Sequence, residues 1–297
     1  MLKLRTVSTL TDWTTVAGCW GKVGVYRIFD YLKIAGITDV YWRVFNGGLA
    51  MYPSNVAQVQ DNYVYDERKK QMLYPLPTMR AEYLKAIDFN QYDPIKDAVE
   101  IAKEVGINLY LWYTIYEDDH GGPCLSEFAR KHPEYWQMDK EGRRYRGTLD
   151  FFYDEVRDYK MKIIDELLSY PAQGLFLDFV RHNACPSADQ NGIHRFGYNP
   201  EIRSFYKNNF GNDPANLAPD NKEWLSFKQD IMTSLIKDIK RKMDKTHTYK
   251  ELSLMLWPIE DYVRWGCIDL ATLTSEKIIQ MLNIPLTRMK PFPNIIC

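Results

Sequence analysis

Residues 174–182 read GLFLDFVRH, an apolar run interrupted by Asp178 and closed by Arg181 and His182. An ionised carboxylate in a dry strand costs several kcal/mol unless it is paired or meets water. Period-two alternation sets Phe176, Asp178 and Val180 on one side and Leu175, Leu177, Phe179 and Arg181 on the other. Arg181 is therefore not the obvious in-strand partner, though an ion pair with it or with Arg43 is the plainer reading of Asp178. Arg43 is also embedded in an apolar run, VYWRVF at 40–45. Two charged residues inside two strands point to a shared polar pocket, with a structural ion pair as the plainer alternative. A second concentration is EDDH at 117–120, where Glu117, Asp118, Asp119 and His120 precede a Gly-Gly turn. Crowded carboxylates raise one another's pKa, which suits a general acid or base. Carboxylates with an imidazole also suit Mg²⁺, Mn²⁺ or Ca²⁺, and a solvated acidic loop is the third reading. Asn46 follows the Arg43 run, Trp112 and Tyr113 end NLYLWYT, and Trp257 ends LSLMLW. Trp112 and Trp257 stand where a ring could stack on a sugar face. His132 and His194 are solitary, and only His182 directly follows a strand end.

These residues need elements to hold them at one place. Apolar runs at 40–45, 108–114, 174–180 and 252–257 read as strands, with a first strand within 3–10 and a weak sixth at 268–273 (IDLATL). Helical spacing appears at 25–35, 94–105, 153–168 and 224–243, with Pro94 at a first turn and Gly106 at a stop. Nearly uninterrupted apolar strands alternating with helices predict a parallel sheet covered by helices. No GxGxxG or Walker-type loop follows a strand, and the long connections at 46–92, 115–152 and 181–222 favour a barrel whose active site lies at the strands' C-terminal ends. The expected class is α/β, a (β/α)8 TIM-type barrel in one domain over 1–297. Only about six of the eight strands are found, so the barrel is expected to be incomplete at its C-terminus, in the tail after Ser275.

The bulk numbers set limits. The 297 residues carry 38 basic and 39 acidic groups, net −1, so no general pull toward nucleic acid or an anionic membrane is expected. Aromatics reach 14%, with 8 Trp and 21 Tyr, which suits sugar stacking or an aromatic core. Five scattered cysteines without CxxC spacing support neither zinc nor a disulfide framework. The first residues lack a signal peptide's apolar core, and no stretch approaches a membrane span. A soluble protein is expected, secreted or periplasmic where a leader has been removed.

Four segments occur in a familiar order: GITDVYWRVFNGGLAMYPS, DPIKDAVEIAKEVGINLYLWYTIYEDDHGG, FARKHPEYWQMDKEGR and GLFLDFVRH. Over roughly residues 20–275 the chain resembles the family-10-like glycosyl hydrolases of bacteria, which are glycoside-hydrolase-like TIM barrels. The resemblance implies a (β/α)8 fold and hydrolysis of a glycosidic bond in an oligo- or polysaccharide. By it, Asp178 matches the acid of strand four, residues 117–120 match the acidic loop after strand three, and Arg43 with residues 46–48 matches the end of strand two. The departure is the C-terminus, where the last two strands should follow.

The expected mechanism is hydrolysis by two carboxylates. Asp178 on a rigid strand suits the nucleophile or base, and Glu117 or Asp118 the acid. Arg43 would hold Asp178 ionised or bind a sugar hydroxyl or carboxylate. Trp112 and Trp257 would stack on sugar, and Asn46, Tyr113, Asp119, His120, Arg181 and His182 would line the substrate site. The expected partner is a carbohydrate, with no cofactor, no metal ion, no nucleic acid and no membrane. The alternatives are a carbohydrate-binding barrel without catalysis and a metal-dependent hydrolase acting through residues 117–120.

Overall fold

In a computed structural model of the chain, the described residues are 5–10, 13–60, 64–66, 71–73, 87–116, 118–119, 125–178, 194–246, 250–255 and 268–283. In chain order the elements are β1 (Val7–Leu10), α1 (Trp13–Ile34, broken at Gly21), β2 (Asp39–Arg43), and the short hairpins β3 (Phe45–Asn46) with β4 (Leu49–Ala50) and β5 (Val64–Asp66) with β6 (Gln71–Leu73). There follow α2 (Pro94–Val105), β7 (Asn108–Tyr113), α3 (Glu127–Lys131), the hairpin β8 (Trp136–Met138) with β9 (Arg144–Leu149), and α4 (Asp154–Ser169). The last are β10 (Gly174–Asp178), α5 (Pro200–Phe210), α6 (Lys222–Thr246), β11 (Glu251–Met255), α7 (Leu270–Ser275) and β12 (Met281–Asn283).

Six strands form one parallel sheet in the order β1-β2-β7-β10-β11-β12. That order follows the chain without reversing, as in a singly wound barrel; a doubly wound sheet would reverse at a switch point. The strands read as nearly continuous apolar runs because both faces are covered. Val40, Trp42, Leu109, Leu111, Leu175, Leu177, Leu252 and Leu254 are buried in the main core with the apolar stripes of the helices. The alternate residues Tyr41, Tyr110, Trp112 and Phe176 form a separate aromatic cluster on the other face. There Tyr41 stacks on Phe176 with ring centroids 3.9 Å apart, and Trp112 meets Phe176 edge-on at 5.5 Å.

The helices start where their chemistry demands it. Asp93 caps α2 by accepting from the amides of Ile95 and Lys96, Pro94 sits at the first position, and Ile95, Ala98, Ile101 and Ala102 are buried. In α4, Asp154 and Glu155 occupy the first turn, and the buried stripe of Val156, Tyr159, Ile163, Ile164, Leu167 and Leu168 also includes Lys160. Among the described residues no helix is long and apolar enough to cross a membrane.

The sixth strand is not where the sequence suggested. Residues 268–273 alternate like a strand, yet Leu270–Ser275 is the helix α7. Asp269 decides it, accepting from the Thr272 amide at 3.0 Å as an N-cap. The sixth strand is instead β12, paired in parallel with β11.

At the N-terminal end of the sheet a charged network takes the place of apolar packing. Arg5 donates through Nη1 to Glu251 Oε2 at 3.0 Å and through Nε to Asp39 Oδ1 at 3.2 Å. The Tyr110 hydroxyl donates to Glu251 Oε2 at 2.7 Å, and Asp39 also accepts from Thr38 Oγ1 and Asn108 Nδ2. Burial alone would raise the Asp39 pKa; the hydrogen bonds from Arg5, Thr38 and Asn108 outweigh it and hold the group below the usual carboxylate range. This network ties β1, β2, β7 and β11 at the face that serves stability in barrels.

Gly174 starts β10 where strands come close: a Cβ there would lie 2.0 Å from the backbone oxygen of Glu251. Because backbone cannot swing aside as a flexible side chain does, Gly174→Ala is expected to cost about 1–3 kcal/mol. A urea midpoint lowered at unchanged slope would show it.

A candidate active site at the C-terminal end of the sheet

Asp178 is the last residue of β10 and is fully buried. It faces the aromatic cluster, where the Trp112 indole Nε1 donates to Asp178 Oδ2 at 3.1 Å. Trp112 is thereby fixed as a holder of the carboxylate, its ring enclosed beside Phe176. Arg43, paired with Trp112 in the β2–β7 register, donates from Nε to the Phe45 carbonyl at 2.7 Å and holds its guanidinium carbon 6.0 Å from the Trp112 ring centroid. Asp178, Trp112 and Arg43 thus come together on one face of the sheet, with buried Asn46 in the β3–β4 hairpin that continues β2.

Tyr113 goes the other way. One residue beyond Trp112, it points to the opposite face, where its ring lies 4.6 Å from that of Phe45 and 5.5 Å from Lys160 Nζ. The sequence expectation placed Tyr113 in the substrate site; the period of two puts it among the helices.

The acidic run divides. Asp118 Oδ2 accepts from Lys160 Nζ, with both side chains almost wholly buried. Asp119 Oδ2 lies 3.2 Å from Arg146 Nη1. Both aspartates are therefore engaged by cations from α4 and β9. Glu117, His120, Arg181, His182 and Trp257 lie outside the described residues. Tight backbone packing holds this rim. A Cβ on Gly48 would lie 2.5 Å from Ser126 Cβ and 2.8 Å from the Asp118 carbonyl, so the NGG turn after β2 needs glycine there. The HPEYW…D…G segment builds structure: Trp136 Nε1 donates to the Ala129 carbonyl, and Asp139 binds Arg143 and Tyr145. Among the described residues no group of three His, Cys, Asp or Glu side chains could hold a metal.

Beside this rim is a small cavity, mostly apolar but with several polar groups at its wall, that the sequence reading passed over. It is lined by Tyr116, Gln137, Asp150, His194 and Lys228 with apolar residues between, and encloses ≈ 20 Å³, room for about one water. Lys228 Nζ donates to the His194 carbonyl at 2.9 Å and stands 5.1 Å from the Trp224 ring. Gln137 Oε1 is buried without a hydrogen-bond partner. The signal was available: Lys228 interrupts the buried stripe of α6 between Trp224 and Met232, and Asp150 stands between Leu149 and Phe151 in GTLDFF. Burial pushes the Asp150 carboxyl up to about 6, although the Phe152 amide and the charge of Lys228 pull it down. The folded state thus holds a proton that the unfolded chain, with its ordinary value of 3.8, releases earlier. Stability falls as pH rises between about 4 and 6. Asp150→Asn is expected to raise stability at pH 7 by up to about 3 kcal/mol and to leave it unchanged below pH 4, as thermal melts at both pH values would show.

No protein-family model and no curated protein matches the chain. Solved structures do. An α-L-fucosidase isoenzyme 2 from Paenibacillus thiaminolyticus aligns with TM-score 0.55 at 14% identity, over 84% of this chain and 32% of that one. The catalytic domain of a β-amylase from Paenibacillus polymyxa aligns with TM-score 0.52 at 11% identity, over 94% and 76%. A β-galactosidase from the psychrophilic Marinomonas ef1 gives 0.52 at 13%, over 95% and 40%. The chain therefore shares its fold with glycoside hydrolases, and it spans about a third of the fucosidase and two fifths of the galactosidase.

Proposed function

We propose that this protein is a glycoside hydrolase that cleaves a glycosidic bond in an oligo- or polysaccharide with two carboxylates. The observation that carries the reading is Asp178, a fully buried carboxylate at the C-terminal end of a parallel strand, held by Trp112 Nε1 at 3.1 Å. Burying a carboxylate there is costly without a task for it, and the strand ends of a barrel are where catalytic groups gather. The shared fold with three glycosidases agrees with this. The same reading takes the six strands as part of a (β/α)8 barrel and the chain as a relative of the family-10-like glycosyl hydrolases.

In this mechanism Asp178 attacks the anomeric carbon or activates the water that does. A second carboxyl, from the connection between β7 and β10, protonates the leaving oxygen. The sequence names Glu117 and Asp118 for that second role, and the Lys160 contact of Asp118 leaves Glu117 as the better of the two. Arg43 and Asn46 would meet sugar hydroxyls. The test is release of new reducing ends by the wild-type protein across plant, bacterial and host glycans. Release from at least one glycan is expected. Binding to a glycan with no release would leave a carbohydrate-binding barrel instead, and release abolished by chelators would favour the metal-dependent alternative.

A further inference from the structure

We propose that the outward face of α1 is a self-association surface, on which a second copy of this chain docks its own α1 antiparallel about a two-fold axis.

Beyond the break at Gly21, α1 runs on as a helix to Ile34. One side of it belongs to the core: Val25 and Phe29 are buried, and Ile28 and Leu32 pack against the same cluster. At 3.6 residues per turn, the opposite side carries Val23, Tyr26, Arg27, Asp30, Tyr31 and Ile34, all exposed. Val23, Tyr31 and Ile34 keep 60%, 72% and 76% of their surface in water. A helix covering one face of a core is expected to be apolar on that side alone; this one carries a second apolar stripe. Because the second stripe points away from the sheet, further strands or helices of a barrel would not cover it. The flank toward α2 is already taken, with Lys22 Nζ donating to Glu100 Oε2 at 2.7 Å.

The symmetry of the stripe identifies its occupant. A two-fold interface is self-complementary, so that a residue i meeting j is answered by j meeting i. Let the axis cross two antiparallel α1 helices at the level between Ile28 and Phe29. Val23 then falls opposite the partner's Ile34, Tyr26 opposite the partner's Tyr31, and Arg27 opposite the partner's Asp30, each pair straddling that level equally. Apolar side chains meet at the ends, tyrosines meet inside them, and opposite charges meet at the centre. An in-register parallel pair would instead set Arg27 against Arg27 and Asp30 against Asp30, which selects the antiparallel sense.

Sedimentation velocity of the full chain over a range of concentrations tests this. The wild type should pass from the single chain to a species of twice its mass as concentration rises. Ile34→Glu places a carboxylate against the partner's Val23 and should remove the dimer over the same range. Arg27→Asp turns attraction into repulsion at both central contacts and should weaken association roughly tenfold or more, as should Asp30→Arg alone. The two substitutions together should restore association to within a few-fold of wild type, a recovery that unfolding cannot produce. These side chains are exposed, so thermal melts of the variants should match the wild type. A wild type that stays monomeric overturns the proposal and leaves the face to a different partner. A dimer indifferent to Ile34→Glu, or a double variant as weak as either single one, overturns it as well.

Discussion

Lys160→Met is expected to lower stability by about 3–5 kcal/mol, the cost of leaving a buried charge without its partner. Lys160 and Asp118 are each about 1% exposed, and the ammonium donates to the Asp118 carboxylate. Methionine keeps the length of the lysine stem and its packing, so the loss reports the charge. The Lys160 ammonium also lies 5.5 Å from the rings of Tyr113 and Tyr159, contacts that reinforce it. For a chain of this size the midpoint of thermal unfolding should fall by roughly 10 °C. Lys160→Met with Asp118→Leu should recover most of it, because an apolar pair of similar volume often replaces a buried ion pair at little cost. A double variant as unstable as the single one would mean that packing of Lys160 dominates. The consequence for function is local: the pair anchors the stretch after β7 onto α4, and the Asp118 backbone in turn bonds Gly147 and Ser126.

Much of this scaffold is legible in the sequence, and the failures have physical causes. Strands β2, β7, β10 and β11 are apolar runs on both faces, and α2, α4 and α6 carry both caps or first-turn acids and a clear apolar stripe. Strand β12 is three residues long, too short for any period to register, while the alternation in residues 268–273 imitated a strand that the Asp269 cap overrules. Within the site, Asp178 is legible because a charge in an apolar run is conspicuous. The partners of Asp118 and Asp119 lie 42 and 27 residues away in sequence (118 to 160, 119 to 146), and such pairings leave no local trace. Tyr113 illustrates the opposite error: proximity to a strand end says nothing of which face a side chain takes. Lys228 was visible as a lysine on the buried stripe of a helix, a position that almost always has a partner or a task.

Asp178→Asn should cost on the order of 10²–10⁴ in kcat, because the substitution removes the proposed attacking or water-activating group without change of shape. The amide can still accept from Trp112 Nε1 through its oxygen, so the aromatic cluster of Tyr41, Tyr110, Trp112 and Phe176 has no reason to repack. Glycan affinity should stay within a few-fold, since the proposed sugar contacts are with other residues. A loss in kcat with unchanged binding separates a chemical role from a structural one, which would move stability and affinity together. The most direct measurement is therefore the paired turnover of wild type and Asp178→Asn on the same cleaved glycan at saturating concentration. The account predicts a rate lower by at least about a hundredfold with the fold and the affinity retained; turnover of Asp178→Asn at the wild-type rate would contradict it.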